Sequence, residues 1–327
     1  MEPFSYTRPE ETERAIALHA SQPQAAYIAG GTTLLDLMKD TVLAPPQLID
    51  ITRLPLRGIT VTENGVSIGA LSTMSDVARE PIIRERYPMI AEALLNSASQ
   101  QLRNMATIGG NLLQRTRCSY FRDPFFACNK RTPGSGCAAI TGENRMHAIL
   151  GTSEHCIATH ASDLAVALVA LDAVIRVRNS AGERRIPLTD FYRLPGNTPQ
   201  HEHALAPGEL IVAIDIPATF DASRSGYLKI RDRQSYEFAL TSAAVALVLD
   251  GKVIQDARLA IGGVGTIPWR LRAAEASLQG AALDIQTFKA AAEIALEGAQ
   301  TQQDNEFKVE LARRTLVRAL TTVGGVQ

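Results

Sequence analysis

The sequence predicts an α+β protein in two parts: a mixed N-terminal region over residues 1–220 and a C-terminal domain of one sheet and several helices. Three observations support this fold class. In the first part, segments whose apolar residues alternate as in a strand are interspersed with segments whose apolar residues have helical spacing. Residues 217–225 show no hydrophobic period and are rich in turn formers, as expected of a linker. Three helical patterns then follow a strand hairpin and close the chain.

The N-terminal region divides at residue 58. Before it, a short strand–helix unit is predicted, with helices at 15–20 and 34–39 and strands at 26–28 and 47–51. After it, alternating residues predict a hairpin of strands at 59–62 and 65–70. Helical patterns follow at 75–84, 87–99 and 162–172, with a strand at 173–178 and a turn at 179–182.

The C-terminal domain begins after the linker. It is predicted to contain a strand at 226–231, a hairpin of strands at 240–249 and 253–261, and helices near 269–279, 284–299 and 306–322. The predicted boundaries are therefore a first lobe at 1–57, a second lobe at 58–220 and a C-terminal domain at 225–327.

Composition excludes several classes of protein. With 33 basic and 34 acidic residues, the chain has no field that favours nucleic acid or an anionic membrane surface. Its longest apolar runs are too short to span a bilayer. No positive segment followed by an apolar stretch stands at the start, so no secretory signal is predicted. In a reducing compartment clustered cysteines are metal ligands or catalytic thiols rather than disulfides.

Two glycine-rich segments are candidates for binding a phosphate group. Each joins an apolar stretch to a glycine pair and a helix-compatible run, where backbone N–H groups and the helix dipole suit a pyrophosphate. Neither is a Rossmann fingerprint or a P-loop. A plain tight turn remains an alternative for each, although two such segments could hold one diphosphate from two sides. The residues are Ala29, Gly30, Gly31, Thr32, Thr33, Leu34 and Leu35 in the first segment and Thr107, Gly109, Gly110 and Asn111 in the second.

Asp163 lies at the predicted start of a helix. A carboxylate there is favoured by the helix dipole alone. Its alternative role is a hydrogen bond to a ribose or an adenine, and the local sequence does not separate the two.

All four cysteines lie in one window, residues 118–156, which has no regular hydrophobic period: Cys118, Cys128, Cys137 and Cys156. A loop of this length is unusual unless something orders it. The spacing C-x9-C-x8-C-x18-C lacks the short knuckle of most structural zinc sites and fits an iron–sulfur cluster. A mixed site with nearby histidines and unligated thiols remain alternatives. Basic neighbours such as Arg117 and Lys130 favour the cluster, because they offset its negative charge.

Three segments together resemble one protein family. Residues 29–39, 107–114 and 159–165 are similar to the FAD-binding segments of the flavoprotein (medium) subunit of molybdenum hydroxylases, the xanthine dehydrogenase and CO dehydrogenase family. The resemblance covers essentially the whole chain, including residues 227–239. Most members lack the cysteine loop, and the insertion at about 115–158 is similar to that of the subgroup with a [4Fe-4S] cluster.

The resemblance implies a fold and a set of binding residues. The N-terminal region is expected to be a two-lobed FAD-binding domain of the vanillyl-alcohol-oxidase type, followed by a CO-dehydrogenase-flavoprotein-like domain. The glycine segments would hold the pyrophosphate and Asp163 would touch the adenosine side. Lys229 would lie near the flavin, Tyr236 against its ring, and the four cysteines would bind the cluster.

The resemblance also implies an activity and partners. The chain is expected to carry electrons by FAD and [4Fe-4S] in an aldehyde oxidoreductase, with a large molybdenum-cofactor subunit and a small subunit bearing two [2Fe-2S] centres, as a heterotrimer or a dimer of heterotrimers. No catalytic side chains are expected. A relative of the 4-hydroxybenzoyl-CoA reductase β subunit, a stand-alone FAD oxidoreductase and a zinc-stapled binding module remain alternatives. The expected location is the periplasm, by export with a partner that bears a twin-arginine signal, or else the cytoplasm.

Overall fold

The computed structural model describes residues 1–326 and contains three sheets. The strands are β1 (Ser5–Thr7), β2 (Ala26–Ile28), β3 (Gln47–Asp50), β4 (Ile59–Thr62), β5 (Gly65–Gly69), β6 (Val174–Asn179), β7 (Gly182–Pro187), β8 (Leu210–Pro217), β9 (Ser225–Ile230), β10 (Thr241–Asp250), β11 (Val253–Gly262) and β12 (Trp269–Arg270). The helices are α1 (Thr12–Ser21), α2 (Leu34–Lys39), α3 (Met74–Arg79), α4 (Pro81–Arg86), α5 (Pro88–Leu95), α6 (Gln100–Met105), α7 (Ile108–Leu112), α8 (Ser119–Arg122), α9 (Ala138–Thr141), α10 (Asp163–Ala170), α11 (Leu188–Phe191), α12 (Arg272–Leu278), α13 (Ile285–Ala295) and α14 (Phe307–Gly324).

The first lobe is a small parallel sheet in the order β1-β3-β2. Its central strand, β3, is buried throughout, and α1 covers it with Ala15 and Ile16. A parallel pair needs a crossover between its strands, and the segment with α2 supplies it between β2 and β3. The loop from β2 into α2 is the first glycine segment.

The second lobe is an antiparallel sheet in the order β4-β5-β8-β6-β7. All eight residues of α10 are buried, as expected of a helix that is apolar on every side. Helices α5 and α10 lie between this lobe and the C-terminal sheet, and their side chains join both in one core. The second lobe and the C-terminal domain therefore share apolar packing.

The C-terminal domain is an antiparallel sheet in the order β12-β11-β10-β9. Strand β10 shows why both faces are covered. Ala243, Val245 and Leu247 face a core completed by α12, α13 and α14, while Ala244 and Ala246 face the core that contains α10. This alternation follows from the two-residue period of a strand.

The structure departs from the sequence predictions at several elements. The helix predicted at 75–84 is two helices, α3 and α4, because Pro81 begins a new helix and Glu80 before it is extended. The helix predicted at 87–99 ends at Leu95. Strands β7 and β8 and helix α6 were not predicted. Two short helices, α8 and α9, interrupt the cysteine window.

Candidate functional site

The two glycine segments, predicted from sequence to hold one group, line a single cavity of about 950 Å³. We call it the diglycine cavity. It lies between the first and second lobes, because β2 and α2 supply one wall and α7 supplies the other. Of the predicted residues, it is lined by Ala29, Gly30, Gly31, Thr32, Thr33, Leu34, Thr107, Gly109 and Gly110. Leu35 and Asn111 do not line it.

The first glycine pair is required by the backbone. A Cβ on Gly30 would lie 1.9 Å from the backbone oxygen of Met105, so only glycine lets the two segments come this close. Gly31 has a φ of 72°, the left-handed region that other residues rarely adopt. The turn thus presents backbone to the cavity instead of side chains.

The second glycine pair lies inside a helix, which corrects the prediction of a turn followed by a helix. Thr107 caps α7 and its hydroxyl accepts from Gly110 N at 3.3 Å. Gly109 lets α7 lie against Ala70, since an added Cβ would come within 3.0 Å of the Ala70 side chain. Both glycines have ordinary helical φ values, so their role is close approach and not a left-handed turn.

A second cavity of about 1250 Å³ lies between the second lobe and the C-terminal domain. We call it the interdomain cavity. Asn111, buried between the two cavities, accepts a 2.6 Å hydrogen bond from Ser162, which lines the interdomain cavity. The polar and aromatic residues that line the interdomain cavity include Arg117, Arg145, His147, Asp163, Glu237 and Phe238. This hydrogen bond joins α7, which lines the diglycine cavity, to the residue before α10, which lines the interdomain cavity.

Asp163 and Lys229 are bound to each other. Lys229 Nζ donates to Asp163 Oδ2 at 2.7 Å, and both side chains are buried. Tyr227 and Ser97 also donate to the carboxylate, at 2.7 and 2.8 Å. Asp163 lines the interdomain cavity, whereas Lys229 lies behind it and lines none of the described cavities. The expected roles, Asp163 on the adenosine side and Lys229 near the flavin, remain predictions.

Tyr236 does not line the interdomain cavity; its side chain is 57% exposed and lies under Arg233. Phe238, two residues later, does line it, with Arg117 4.8 Å above its ring. The aromatic side chain that faces this cavity is therefore not the one that the sequence suggested.

The four cysteines line one further cavity of about 290 Å³, which we call the cysteine cavity. All four are free thiols, and Cys128 and Cys156 are buried. Cys128 and Cys137 face each other in an isolated antiparallel bridge. His155 lines this cavity, whereas His147 and His160 do not. His147 Nε2 nevertheless lies 3.2 Å from Cys118 Sγ.

The cysteine loop is held by polar contacts to backbone. Asn129 accepts from Gly136 N at 2.8 Å and donates to His155 O at 3.1 Å, so one side chain joins the segments next to three cysteines. Arg131 donates to the carbonyls of Tyr120, Phe121, Pro124 and Phe126. These contacts fix the irregular backbone without a sheet or a long helix.

Burial controls the protonation of this site. It raises the pKa of Cys118 to about 12 and also raises the pKa of Cys156. Burial and the charge of Lys308 lower the pKa of His147 to about 4. Without a bound cation these two thiols are therefore protonated at neutral pH, and a metal must displace their protons.

Within residues 1–326, no group of three or more His, Cys, Asp or Glu side chains is arranged to hold a metal ion.

One carboxylate and two cations connect the diglycine cavity with the cysteine cavity. The sequence did not predict that these three residues are in contact. Glu202 accepts from Arg115 Nε at 2.5 Å and from Lys130 Nζ at 2.8 Å. Arg115 lines the diglycine cavity, and Lys130 lines the cysteine cavity. No local pattern could have revealed the triad, because Glu202 is far from both cations along the chain.

No helix in the part of the chain that the structure describes is both long and apolar enough to cross a bilayer.

Comparison with known proteins gives matches over both parts of the chain. Residues 2–219 match the model of the FAD binding domain in molybdopterin dehydrogenase, and residues 226–323 match the CO dehydrogenase flavoprotein C-terminal domain. Over 323 residues, 98% of each chain, the sequence is 48% identical to the aldehyde oxidoreductase FAD-binding subunit PaoB of Escherichia coli (strain K12). It is 30% identical to the glyceraldehyde dehydrogenase medium chain of Sulfolobus acidocaldarius, over 86% of this chain and 83% of that one.

Solved structures agree with the described fold. A chain of the carbon monoxide dehydrogenase from Hydrogenophaga pseudoflava superimposes with a TM-score of 0.78 at 27% identity, covering 99% of this chain and 98% of that one. The predicted fold class, an FAD-binding domain followed by a CO-dehydrogenase-flavoprotein-like domain, is confirmed. These matches bear on the flavin site and on the fold. They do not test the cysteine site.

Proposed function

We propose that this chain, which belongs to the family of FAD-binding subunits of molybdenum hydroxylases, is the electron-transfer subunit of a molybdenum-dependent aldehyde oxidoreductase and carries FAD and a [4Fe-4S] cluster. The observation that carries the proposal is the meeting of both glycine segments at one cavity. The alternative of a β subunit like that of 4-hydroxybenzoyl-CoA reductase has no specific observation in its favour.

The diglycine cavity suits the pyrophosphate of FAD. Its walls offer the backbone of the Gly30–Gly31 turn, the hydroxyl groups of Thr32 and Thr33, and the guanidinium of Arg115. The N–H groups of Gly109 and Gly110 already donate to Ala70 O and to the hydroxyl group of Thr107. Backbone amides and a cation are the usual partners of a diphosphate. An added Cβ at Gly30 or Gly109 would change the relative position of the two walls, so the cavity depends on these glycines.

The remainder of the dinucleotide would pass Asn111 and Ser162 into the interdomain cavity. In this arrangement Lys229 keeps its expected place near the flavin, and Asp163, its ion-pair partner, belongs to the same end of the ligand. Phe238 offers an aromatic face there, and Arg117 adds a cation. When bound, FAD supplies the transfer of one or two electrons; the protein binds and orients it and limits its access to water.

The cysteine cavity suits a cluster better than a single ion. A [4Fe-4S] cluster takes one thiolate per iron, so its four sulfurs stand farther apart than those around one zinc. The convergence of four thiols on one small cavity is the support for this choice. Lys130 and Arg131 supply positive charge next to the cluster.

The partners follow from the family. Relatives are medium subunits of multi-subunit molybdenum hydroxylases, and we propose a large molybdenum-cofactor subunit and a small subunit with two [2Fe-2S] centres as the partners of this chain. Aldehyde oxidation would take place on the large subunit. Co-export into the periplasm with a partner that bears a twin-arginine signal is the proposed location.

The experiment is anaerobic mixing of an aldehyde with the co-purified complex and with the isolated chain. The proposal predicts bleaching of the flavin absorbance in the complex and none in the isolated chain. Bleaching of the isolated chain would favour a stand-alone oxidoreductase. A complex that an aldehyde does not reduce, but whose chemically reduced flavin is reoxidised by 4-hydroxybenzoyl-CoA, would favour the reductase-like alternative.

A further inference from the structure

Glu202 lies in the segment between α11 and β8, and its carboxylate is shared by two cations from different sites. Its Oε2 accepts from Arg115 Nε at 2.5 Å and its Oε1 accepts from Lys130 Nζ at 2.8 Å. All three side chains are partly buried, Lys130 most deeply. Water therefore screens these contacts less than it would a surface ion pair.

Each cation belongs to a different cavity. Arg115 lines the diglycine cavity, and its guanidinium lies 4.6 Å above the ring of Phe121, which lines the cysteine cavity. Lys130 lines the cysteine cavity and also donates to Pro199 O at 3.0 Å. The triad thus spans the wall that separates the two sites.

A fourth cavity, of about 530 Å³, lies along the same wall. Glu202 lines it together with Leu113, which also lines the diglycine cavity, and with Lys130 and Cys156, which also line the cysteine cavity. The two sites are therefore separated by little more than the triad and this space.

We propose that Glu202 is a positioning residue that couples the two sites, so that an ordered cysteine loop holds Arg115 in place for the diphosphate of the dinucleotide. This inference rests on the proposed function. Ordering of the loop fixes Lys130, Lys130 fixes the carboxylate, and the carboxylate fixes Arg115. The conformational entropy of the triad is then lost once, when the first site fills, and the second ligand does not bear that cost.

The charges of the triad agree with this role. Burial raises the pKa of Glu202, but Arg115 and Lys130 outweigh it and hold that pKa below its usual range. The carboxylate is therefore ionised. One negative and two positive charges leave the triad with a net positive charge, which favours an anionic ligand on both sides of the wall.

The test compares FAD binding by the full chain in its iron-loaded form and after removal of the iron by chelation. Flavin fluorescence measures the two dissociation constants. The proposal predicts that the iron-loaded wild-type chain binds FAD about tenfold more tightly, within the usual range of coupling between sites. In Glu202→Gln the ratio of the two constants falls to about one.

The matched control is Asp215→Asn. Asp215 also lies between two cations, Arg176 and Arg185, but on the five-stranded sheet and away from the described cavities. This variant is expected to keep the wild-type ratio. If the ratio of the two dissociation constants fell equally in Asp215→Asn and Glu202→Gln, the proposal would be overturned, since the effect would then be a general loss of stability.

A second readout separates positioning from support of the fold. An EPR-monitored redox titration of the cluster is expected to show a more positive midpoint potential in Glu202→Gln, because the charge of Lys130 is no longer offset. An unchanged potential together with an unchanged FAD ratio would overturn the proposal. If Glu202→Gln does not fold, Glu202→Asp replaces it. A ratio of FAD dissociation constants below that of the wild type supports the coupling, and a ratio equal to that of the wild type contradicts it.

Failure of the inference is distinct from failure of the proposed function. A wild-type chain that retains neither flavin nor iron contradicts the proposed function itself. A wild-type chain that holds both, but binds FAD equally well with and without iron, contradicts only the coupling.

Discussion

The diglycine cavity and the cysteine cavity are adjacent but are built in opposite ways. The first is shaped by backbone: two glycine pairs bring a turn and a helix together, and the turn presents its backbone to the cavity. The second is shaped by side chains: four thiols from a long, irregular stretch of chain converge, and Asn129 and Arg131 hold that chain in place.

This difference determines how each site can be lost. A backbone site is damaged by adding atoms, because a new Cβ forces its walls apart. A side-chain site is damaged by removing atoms, because a ligand or a supporting hydrogen bond disappears. Four variants probe this contrast, and their effects are expected to decrease in the order given.

Cys128→Ser is expected to abolish iron binding, whereas FAD still binds with the affinity of the iron-depleted chain. A serine hydroxyl is a poor ligand for iron, and the three remaining thiols leave one iron without its ligand. Iron and flavin analysis of anaerobically purified protein measures both. Thr132→Ala, an exposed change in the same loop, is the control and keeps its iron. Full iron content in Cys128→Ser would show that Cys128 is not a ligand.

Gly30→Ala is expected to weaken FAD binding by roughly tenfold or more and to lower stability by about 1–3 kcal/mol, because its Cβ would lie 1.9 Å from Met105 O. Flavin fluorescence and denaturant unfolding measure the two effects. Gly134→Ala in the cysteine loop is the control: its Cβ would meet no atom, although a φ of 85° also strains an alanine, and it keeps the wild-type flavin affinity. Equal flavin affinity in both variants would contradict the contrast.

Arg131→Met is expected to destabilise the cysteine loop by about 2 kcal/mol, because backbone carbonyls around α8 lose a charged donor. Iron should then be lost faster to a chelator, while the iron-loaded variant keeps the wild-type FAD affinity. The exposed Arg53→Met serves for comparison and should have no effect on iron. Equal rates of iron loss in Arg131→Met and Arg53→Met would contradict this role of Arg131.

The buried Lys308 is expected to make the smallest contribution, a dependence of the free energy of unfolding on pH. Its ammonium is fully buried and donates to the carbonyls of Met146, His147 and Gly263, and burial lowers its pKa from 10.5 to about 7. Between these two values the unfolded chain binds more protons than the folded one, so stability rises with pH. From pH 7 to pH 8 the gain is about 1 kcal/mol.

Denaturant unfolding at several pH values checks this prediction against Lys308→Met, which cannot titrate. Below pH 7 the two profiles should run parallel, because Lys308 is then protonated in both states. If the stability profiles of the wild-type chain and Lys308→Met also ran parallel between pH 7 and pH 8, the pKa of Lys308 in the folded chain would not be lowered.

Much of the first site could be predicted from the sequence, because its geometry is local. The pair Gly30-Gly31 follows a strand and precedes a helix, and only glycine fits there. The second pair was assigned to a turn although it lies inside α7. Its N-cap, Thr107, is a side-chain contact that local sequence suggests but does not require.

For the cysteine cavity, the sequence predicts only the ligands. The four cysteines are visible as a cluster in sequence, but the groups that hold them act over long distances. Asn129 reaches His155, and Lys130 meets Glu202 from a distant part of the chain. Strand β8 was missed for a different reason: its run of apolar residues is buried on both faces and lacks the alternation that was sought.

The two adjacent cavities have the proposed roles only if one chain holds a flavin and an iron–sulfur centre side by side. The decisive measurement is quantification of FAD, iron, acid-labile sulfide and zinc in the full chain, purified anaerobically from iron-replete cells. The expected content is one FAD, four irons and four sulfides per chain. One zinc per chain without sulfide, or a protein without flavin, would contradict these roles.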